Sequence, residues 1–436
     1  MSDTQNKSQK AVKTPGRGYA WLVLVMMLLL YFVNYADRTL ANALLEKIKE
    51  TYQVSDTYMG FVIGPAFAFI YCLAAIPIAR YADRHNRVRI IALGAVVWSL
   101  FTMMSGVAKT PEIFAIARFG VGIGEAAFLA PAYSLLSDYF PPKKRAFAFA
   151  VMNLGVYFGG AFGNIGGTAL AASYDWQTTF IWLGGPGILL AALTVIFVKE
   201  PERGRLDGAQ FSSNKNYSFS EVYKPLMANS AFKYLVIAAF FGGFSTIAFG
   251  SWAIAMFERI FDISNQSAGA RYGTGALLAG MVGVLLMGFL CDVFSKKTSK
   301  APYMLSAAGL LGFTLIAIAM CFSGNVDLAT ALVYPASILG AGWVVAVQAA
   351  LQDLLPAQLR ATGTSIWAFA LTFAGLVLGV LVVGWFNDYL NASYGADAIR
   401  YSMALTLLGG IPAAFYIFKA GGSADQGRQI LAKTFA

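Results

Sequence analysis

Two stretches decide the fold: residues 60–83, GFVIGPAFAFIYCLAAIPIARYAD, and residues 269–292, GARYGTGALLAGMVGVLLMGFLCD. Each opens on two glycines four apart, continues through an apolar run long enough to cross ~30 Å of hydrocarbon as a helix, and closes on an aspartate. Gly60, Gly64 and Asp83 recur 209 positions later as Gly269, Gly273 and Asp292. Further on, Asp138, Pro141, Arg145 and Ala146 recur 215 positions later as Asp353, Pro356, Arg360 and Ala361. Constant offsets of this kind mark an internal duplication. The second span of one half matches the second span of the other, and the fourth matches the fourth.

Working outward, the chain of 436 residues is 58% apolar and only 12% charged, about half the charge of an ordinary soluble domain. Apolar runs predict twelve spans, near residues 19–44, 58–79, 88–108, 112–136, 148–172 and 179–198, then 233–256, 268–290, 302–322, 328–351, 362–386 and 400–418. The expected fold is an all-α membrane protein of two pseudo-symmetric six-helix bundles. A polar tail covers 1–17, the bundles 18–198 and 231–418, a polar linker 199–230 and a second tail 419–436. With both termini inside, 24 of the 32 Lys and Arg fall in the tails and cytoplasmic loops, and six in the opposite loops, as the retention of basic residues on the cytoplasmic side requires. The two left over are Arg38 and Arg118, inside spans. Ala41-Asn42-Ala43 resembles a signal cleavage site, but Asp37 and Arg38 interrupt the apolar run before it, so an uncleaved first span is expected.

Several motifs read as packing. Cys72, Cys291 and Cys321 lie in or beside apolar runs, as structural thiols do. The stripe Gly155, Gly159, Gly163 and Gly167 admits close approach by another helix, with a sliding surface as one use of it. Gly122-Ile123-Gly124 fits part of a dinucleotide fingerprint, but no strand precedes it. His85, the one histidine, sits in a loop. No metal site, cofactor site or catalytic constellation appears, so an enzyme is not expected. In the loop after span 2, Asp83, Arg84 and Arg87 place an acid at a helix end beside guanidinium groups, and Asp292 with Lys296 repeats the pattern. Such clusters can latch one closure of a cavity between halves, or can be plain solvated loops.

Asp37, Arg38, Arg118 and Glu125 carry charge where each group costs ~2.5–3.5 kcal/mol or more unless paired or wetted. At a rise of about 1.5 Å per residue, Asp37 and Arg118 lie ~8–9 Å from the midplane, and Glu125 lies near it. Two arrangements follow. In one, Asp37 and Arg118 form a structural pair while Arg38 binds an anion and Glu125 carries a proton. In the other, all four form one network whose pairing changes with protonation. A static polar clasp is the plain alternative. Asn34 lies one turn before Arg38 on the same face. The second half offers uncharged groups instead, among them Phe240, Phe244, Trp343, Trp367, Phe369, Phe373 and Gln348, so the expected cavity is amphipathic.

The two six-helix halves, the Asp83-Arg84-His85-Asn86-Arg87 loop and the Arg118–Ala126 stretch resemble the major facilitator superfamily. Within it, Asn34-Tyr35-Ala36-Asp37-Arg38, Asp83 to Arg87, and Arg118-Phe119-Gly120-Val121-Gly122-Ile123-Gly124-Glu125-Ala126 resemble the Spinster family of lysolipid and sphingolipid transporters. The resemblance implies proton-linked movement of lysophospholipid or sphingosine-phosphate-like molecules, with essential charges at Asp37, Arg38, Arg118 and Glu125. From the charge placement and the amphipathic cavity, rather than from the resemblance, Glu125 and Asp37 are the expected proton-coupling groups, and Arg38, Arg118, Asn34, Trp343, Gln348, Phe244 and Trp367 the expected substrate contacts. Ala79 and Asn86 depart from the general superfamily loop, and Asn86 belongs to the Spinster-like pattern. The expected setting is a bacterial inner membrane, with a lipid substrate, protons and the bilayer as partners, no nucleic acid and a monomeric state. The alternative is a facilitator for small organic anions or drugs, and a lipid-sensing receptor is a third reading.

Overall fold

The computed structural model of the protein describes residues 17–204, 206, 219–356 and 359–434. Lys7, Lys10 and Lys13 of the first tail, and Arg205 and Lys215 of the linker, lie outside the described residues. Among the described residues, eleven apolar helical stretches are long enough to cross a bilayer. The last, Thr362–Thr434, reverses direction at the short turn Gly395–Asp397, where Gly395 takes φ of +53°, so the chain makes twelve passes. In order these are α1 (Arg17–Ala43), α2 (Asp56–Ala82), α3 (Arg87–Val107), α4 (Pro111–Tyr139), α5 (Phe147–Ser173) and α6 (Trp176–Phe197). The second half holds α7 (Ser230–Phe261), α8 (Asn265–Ser295), α9 (Ala301–Cys321), α10 (Val326–Leu354), α11 (360–394) and α12 (398–434). No strand occurs among the described residues. Two bundles of six helices result, as the duplication predicts.

The twelfth helix differs from its expected length. It continues to Thr434 instead of giving way to a tail near 418. Ala420, Ala424, Gly427 and Leu431 form a buried stripe at helical spacing, with Gly421 against the Tyr303 ring of α9 and Asn229 donating to the Gly427 carbonyl. Polar residues on the other face hide this stripe from a hydropathy reading. The linker likewise holds a helix, Phe219–Ala228, which buries Val222 and Leu226.

The halves meet at the end opposite the chain termini, here the far end. Every described hydrogen bond and ion pair that joins them lies in the far portion of the spans or at their far tips. The apolar core repeats this division. The far ends of the first-half helices, including Leu40, Leu44, Ile63, Phe114 and Trp176, belong to one continuous buried cluster with the second half, while Leu30, Phe67, Trp98 and Leu136 belong to a separate one.

The repeated glycines make this contact. A methyl group built on Gly60 of α2 would stand 2.8 Å from the Val380 carbonyl of α11, and one on Gly273 of α8 would stand 2.8 Å from the Ile165 side chain of α5. Gly64 and Gly269 approach Leu376 and Asn164 in the same way. Both partner helices carry a wide π turn at or beside the contact, Phe162–Gly166 in α5 and Phe373–Gly379 in α11, a distortion that frequently marks functional segments. By contrast, the stripe Gly155, Gly159, Gly163 and Gly167 packs on α1 along Leu28, Phe32, Ala36 and Leu40. It closes the first half internally and is not a sliding surface between halves.

Since Gly60 faces backbone that cannot swing away, Gly60→Val should weaken far-end closure. Overpacking costs of ~1–3 kcal/mol correspond to a ~5- to 150-fold fall in the closed-to-open ratio. The measurement is the rate at which a membrane-impermeant maleimide labels a cysteine at Asn42, which sits in the closed contact beside Ser251.

Candidate functional site

Helix α4 is interrupted directly after Glu125, where Ala126 to Phe128 form a tightened turn before the chain resumes as a helix at Leu129. The glycines before the break let neighbouring backbones in. Gly122 lies on the Phe67 carbonyl of α2, and Gly124 lies against Gly94 and Trp98 of α3. The Gly-Ile-Gly run is therefore a packing seam, and it fixes the Glu125 carboxylate in the middle of the first half.

The four intramembrane charges form two pairs. Arg118 Nη1 donates to Asp37 Oδ2 at 2.9 Å, and the Thr102 hydroxyl donates to Asp37 Oδ1 at 2.9 Å. Both partners of this pair are almost wholly buried. Arg38 Nε donates to Glu125 Oε2 at 2.5 Å. The Glu125 side chain is fully buried, whereas that of Arg38 keeps 19% of its exposure. Both oxygens of Asp37 are thus occupied, while Glu125 Oε1 is buried with no hydrogen-bond partner in the structure. Asn34, on the same face of α1, is buried with neither amide atom partnered, and Arg118 Nε is likewise unpartnered. A full clasp on Asp37 and an incomplete one on Glu125 divide the roles physically: the first pair can tie α1, α3 and α4 together, and the second has capacity left for a proton, water or ligand.

Aromatic rings enclose the incomplete pair. The Arg38 guanidinium lies 4.9 Å from the Phe67 ring centre, 4.8 Å from that of Tyr71 and 5.2 Å from that of Tyr35. Arg118 lies 5.6 Å from Phe67, so that ring has a guanidinium group near it from each pair. Tyr31 packs on Tyr35 and Phe128, each at 5.3 Å, and the Tyr133 hydroxyl accepts from Asn153 at 2.8 Å. Cation–π contact of this kind steadies a guanidinium by ~0.5–2 kcal/mol without neutralising it. The aromatic component of the site therefore lies beside the charges, in the first half.

The expected aromatic wall of the second half is placed differently. Trp343 and Trp367 are wholly buried and meet edge to face, with ring centres 6.3 Å apart. The Ser306 hydroxyl donates to the Trp343 carbonyl, and Gly242 lies against its ring, so both tryptophans fill the interior of the second bundle. Phe244 and Gln348 are partly buried, and Phe240 and Phe369 are exposed. Neither tryptophan, nor Phe244, is brought to the Arg38–Glu125 pair.

At the termini end, Arg87 is the buried centre of a cluster. It donates to Asp138 Oδ2 at 2.6 Å, to Glu200 Oε1 at 2.7 Å and to the Ser134 carbonyl and hydroxyl at 2.9 Å each. This cluster belongs entirely to the first half and its linker. Asp83, Arg84, Asp292 and Lys296 are exposed in this conformation, and the structure does not bring Asp83 and Asp292 together across the halves.

A charged cluster at the far end takes that role. Arg259 of α7 donates to both carboxylate oxygens of Asp56, at 2.5 and 2.8 Å, and to Glu46 at 2.6 and 3.0 Å. Lys49 reaches Asp56 at 2.5 Å. Asp388 of α11 accepts from the Asp56 and Thr57 backbone N–H groups, at 3.0 and 2.8 Å, at the start of α2. These residues read as loop charges in the sequence. The missed signal was an extension of the 209-residue offset: Gln53, Ser55 and Asp56 correspond to Asp262, Ser264 and Asn265.

Residues 27–380 match the family described as Major Facilitator Superfamily. Among curated proteins, the chain is 27% identical to "MFS-type efflux pump" of Mycolicibacterium smegmatis, over 88% of this chain and 89% of that protein. It is 24% identical to "Protein spinster homolog 1" of Xenopus laevis, over 86% of this chain and 75% of that protein. It is also 24% identical to "Sphingosine-1-phosphate transporter SPNS2" of Danio rerio, over 86% and 77% respectively. Among solved structures, a bacterial homolog to the human lysosomal transporter Spinster, inward-facing and unoccupied, superposes with a TM-score of 0.85 at 26% identity, covering 95% of this chain and 99% of that one. The occupied inward-facing form of such a homolog gives 0.76 at 25% identity, covering 95% and 98%.

Removing one member of a buried pair costs ~3–5 kcal/mol, because the other charge is left uncompensated. Arg118→Leu should therefore lower the thermal unfolding midpoint in detergent far more than Arg38→Leu does, and Asp37→Leu in the same chain should recover most of the loss. Equal shifts for the two single variants would contradict the division into a closed and an incomplete pair.

Proposed function

The chain belongs to the major facilitator superfamily, and from that premise we propose that it is a Spinster-like, proton-coupled transporter of amphipathic lipids bearing an anionic or zwitterionic head. The superfamily and the likeness to Spinster proteins support membrane transport; the substrate and the coupling are our reading. The observation that carries it is the Arg38–Glu125 pair: one oxygen of the carboxylate is buried and unpartnered, and the guanidinium is the more exposed partner, ringed by tyrosine and phenylalanine.

The chemistry follows from charge balance. Protonation of Glu125 removes the charge that holds Arg38, and the freed guanidinium can make a two-point contact to a phosphate or carboxylate head. An anion that binds Arg38 first displaces Glu125 and leaves its carboxylate unpaired in a low dielectric, where it takes up a proton. Either order binds proton and anion together, and linkage makes the effect reciprocal. Tyr35, Tyr71 and Phe67 offer apolar faces to the part of the substrate nearest the head. Asp37, in this scheme, holds Arg118 and the bundle rather than titrating. Transport proceeds by rocking the halves, with the far end facing outward and the termini in the cytoplasm, as the excess of Lys and Arg on that side favours. In the conformation described, the far end is closed. Asp83, Arg84, Asp292 and Lys296 then form the cytoplasmic closure in the alternate state.

A second reading keeps the same site and changes the cargo. In this reading the cargo is a drug or small organic anion, and the 27% identity to a mycobacterial protein named as an MFS-type efflux pump supports export as the transport process.

Proteoliposomes with an imposed pH gradient separate these readings by comparing a labelled lysophospholipid with a small organic anion. Lysolipid movement should follow the gradient, and Glu125→Gln should abolish that dependence. In weakly buffered solution, adding lysolipid should raise the pH by uptake of about one proton per protein, and Glu125→Gln should remove the signal. Arg38→Ala should weaken binding of anionic lipids by ~10-fold or more relative to neutral ones, the loss of a charge-assisted contact worth ~1.5–3 kcal/mol. Transport of the organic anion alone would select the second reading.

A further inference from the structure

The far-end closure contains an acid that the scheme above does not use. Glu258, near the end of α7, accepts a hydrogen bond at Oε1 from Asn265 Nδ2 at 2.8 Å. The same Nδ2 donates its other hydrogen across the halves to the Ala43 carbonyl, at 2.7 Å. Ala43 is the last residue of α1, so its carbonyl is one of those left without a partner inside the helix. The Asn265 amide thus caps α1 from the opposite half. Asp388 caps the start of α2 from the opposite half in the same way, with a carboxylate on two backbone N–H groups. Opening the far end uncaps both helices.

The two caps are not equivalent toward protons. Asp56, which corresponds to Asn265 in the repeat, is held by Arg259 and Lys49. Glu258 has no such direct ion pair among the described residues. The charged groups facing it are Glu46 and Lys47, from the short helix Leu45–Tyr52, and Arg259 beside it on α7. Of these, Lys47 is committed to the Ala171 carbonyl at 2.8 Å, and Arg259 to Glu46 and Asp56. Among the described residues, the one direct donor to Glu258 is a neutral amide.

That amide reports the charge state of its partner. An ionised carboxylate only accepts, so it selects the Asn265 rotamer that presents NH₂, and the second hydrogen then reaches Ala43. A neutral carboxyl group can donate. The acceptor available is Asn265 Oδ1, which is buried and unpartnered in the closed arrangement. Turning the amide to meet that donor carries NH₂ away from Ala43 and breaks the cap.

We propose that Glu258 is a second proton-binding site, and that its protonation releases the Asn265 clip on α1 and opens the far end. The site is separate from Arg38 and Glu125 and holds whatever the cargo is, since it requires only that the halves come apart at this end. Under the orientation given above, it senses the pH of the outer compartment.

Spin labels on cysteines at Glu50 and Gln266, exposed positions on opposite halves at the far end, read the opening directly in nanodiscs without substrate, with Cys72, Cys291 and Cys321 replaced by alanine. Between about pH 8 and about pH 5 the long-distance population should rise ~5-fold or more, as a protonation-linked two-state equilibrium does. In Glu258→Gln the change should fall within about twofold. Asn265→Ala should raise the open population at both pH values. Glu258→Asp should keep the response with a displaced midpoint, and it serves as the test should Glu258→Gln not fold. A parent without a pH response, a full response in Glu258→Gln, or an unshifted midpoint in Glu258→Asp overturns the proposal. None of these outcomes depends on transport or on Glu125, so the proposed function stands or falls separately.

Discussion

The cost of an uncompensated charge in hydrocarbon organises this molecule. Asp37 and Arg118 cancel each other and use Thr102 for the remaining oxygen, which makes the first bundle tolerable as a charged object. Only once that pair is complete can Arg38 and Glu125 be left partly unsatisfied beside it. An isolated Glu125 would simply stay protonated, and an isolated Arg38 would reach for the interface. They are held together by a single hydrogen bond and ringed by aromatics, with one carboxylate oxygen left unpartnered. The asymmetry between a closed clasp and an open one distinguishes the two pairs in a site where all four residues are charged.

The same constraint explains why the bundles differ although they descend from one duplication. The first half spends its interior on charge and surrounds it with Tyr35, Phe67 and Tyr71. The second half fills the corresponding volume with Trp343 and Trp367 and packs like an ordinary apolar core. The joint between them uses close backbone contact at Gly60, Gly64, Gly269 and Gly273, backed by the π turns of α5 and α11. Such contacts are short, dry and exclusive, so they favour two discrete arrangements over a continuum.

Much of this was legible in the residues, and the gaps have physical causes. The constant offsets revealed the duplication because helix packing tolerates few substitutes for glycine at a crossing. Arg38 and Arg118 stood out because basic residues elsewhere follow topology. The pairing of Arg38 with Glu125 was not legible: spacing along one helix fixes a face and a depth, but not which of two carboxylates a flexible side chain reaches. Tyr35, Phe67 and Tyr71 were passed over because an aromatic in an apolar span has no signature distinguishing a ligand wall from a lipid face. Trp343 and Trp367 were assigned to a cavity for the same reason, and burial sends them to the core instead. Helix α12 extends past 418 because its buried stripe is made of Ala, Gly and Leu, which an average over polar neighbours erases.

The far-end hairpins show how far a repeat can be followed once a structure is available. The two non-glycine residues with positive φ among the described residues, Gln53 at +52° and Asp262 at +50°, stand 209 positions apart, the offset of the glycines. Each is followed two residues later by a serine that caps the next helix, Ser55 for α2 and Ser264 for α8. The next residue in each hairpin then reaches across to the other half. Here the copies diverge in chemistry: Asp56 is an acid that collects cations, whereas Asn265 is an amide that can change which atom it offers. Backbone geometry was retained because the turn and the cap determine where each helix begins, and so where the halves touch. The side chain at the contact was free to differ. A charge on one side gives an ion pair to Arg259 and Lys49, and an amide on the other gives a neutral hydrogen bond to the Ala43 carbonyl, shared with Glu258.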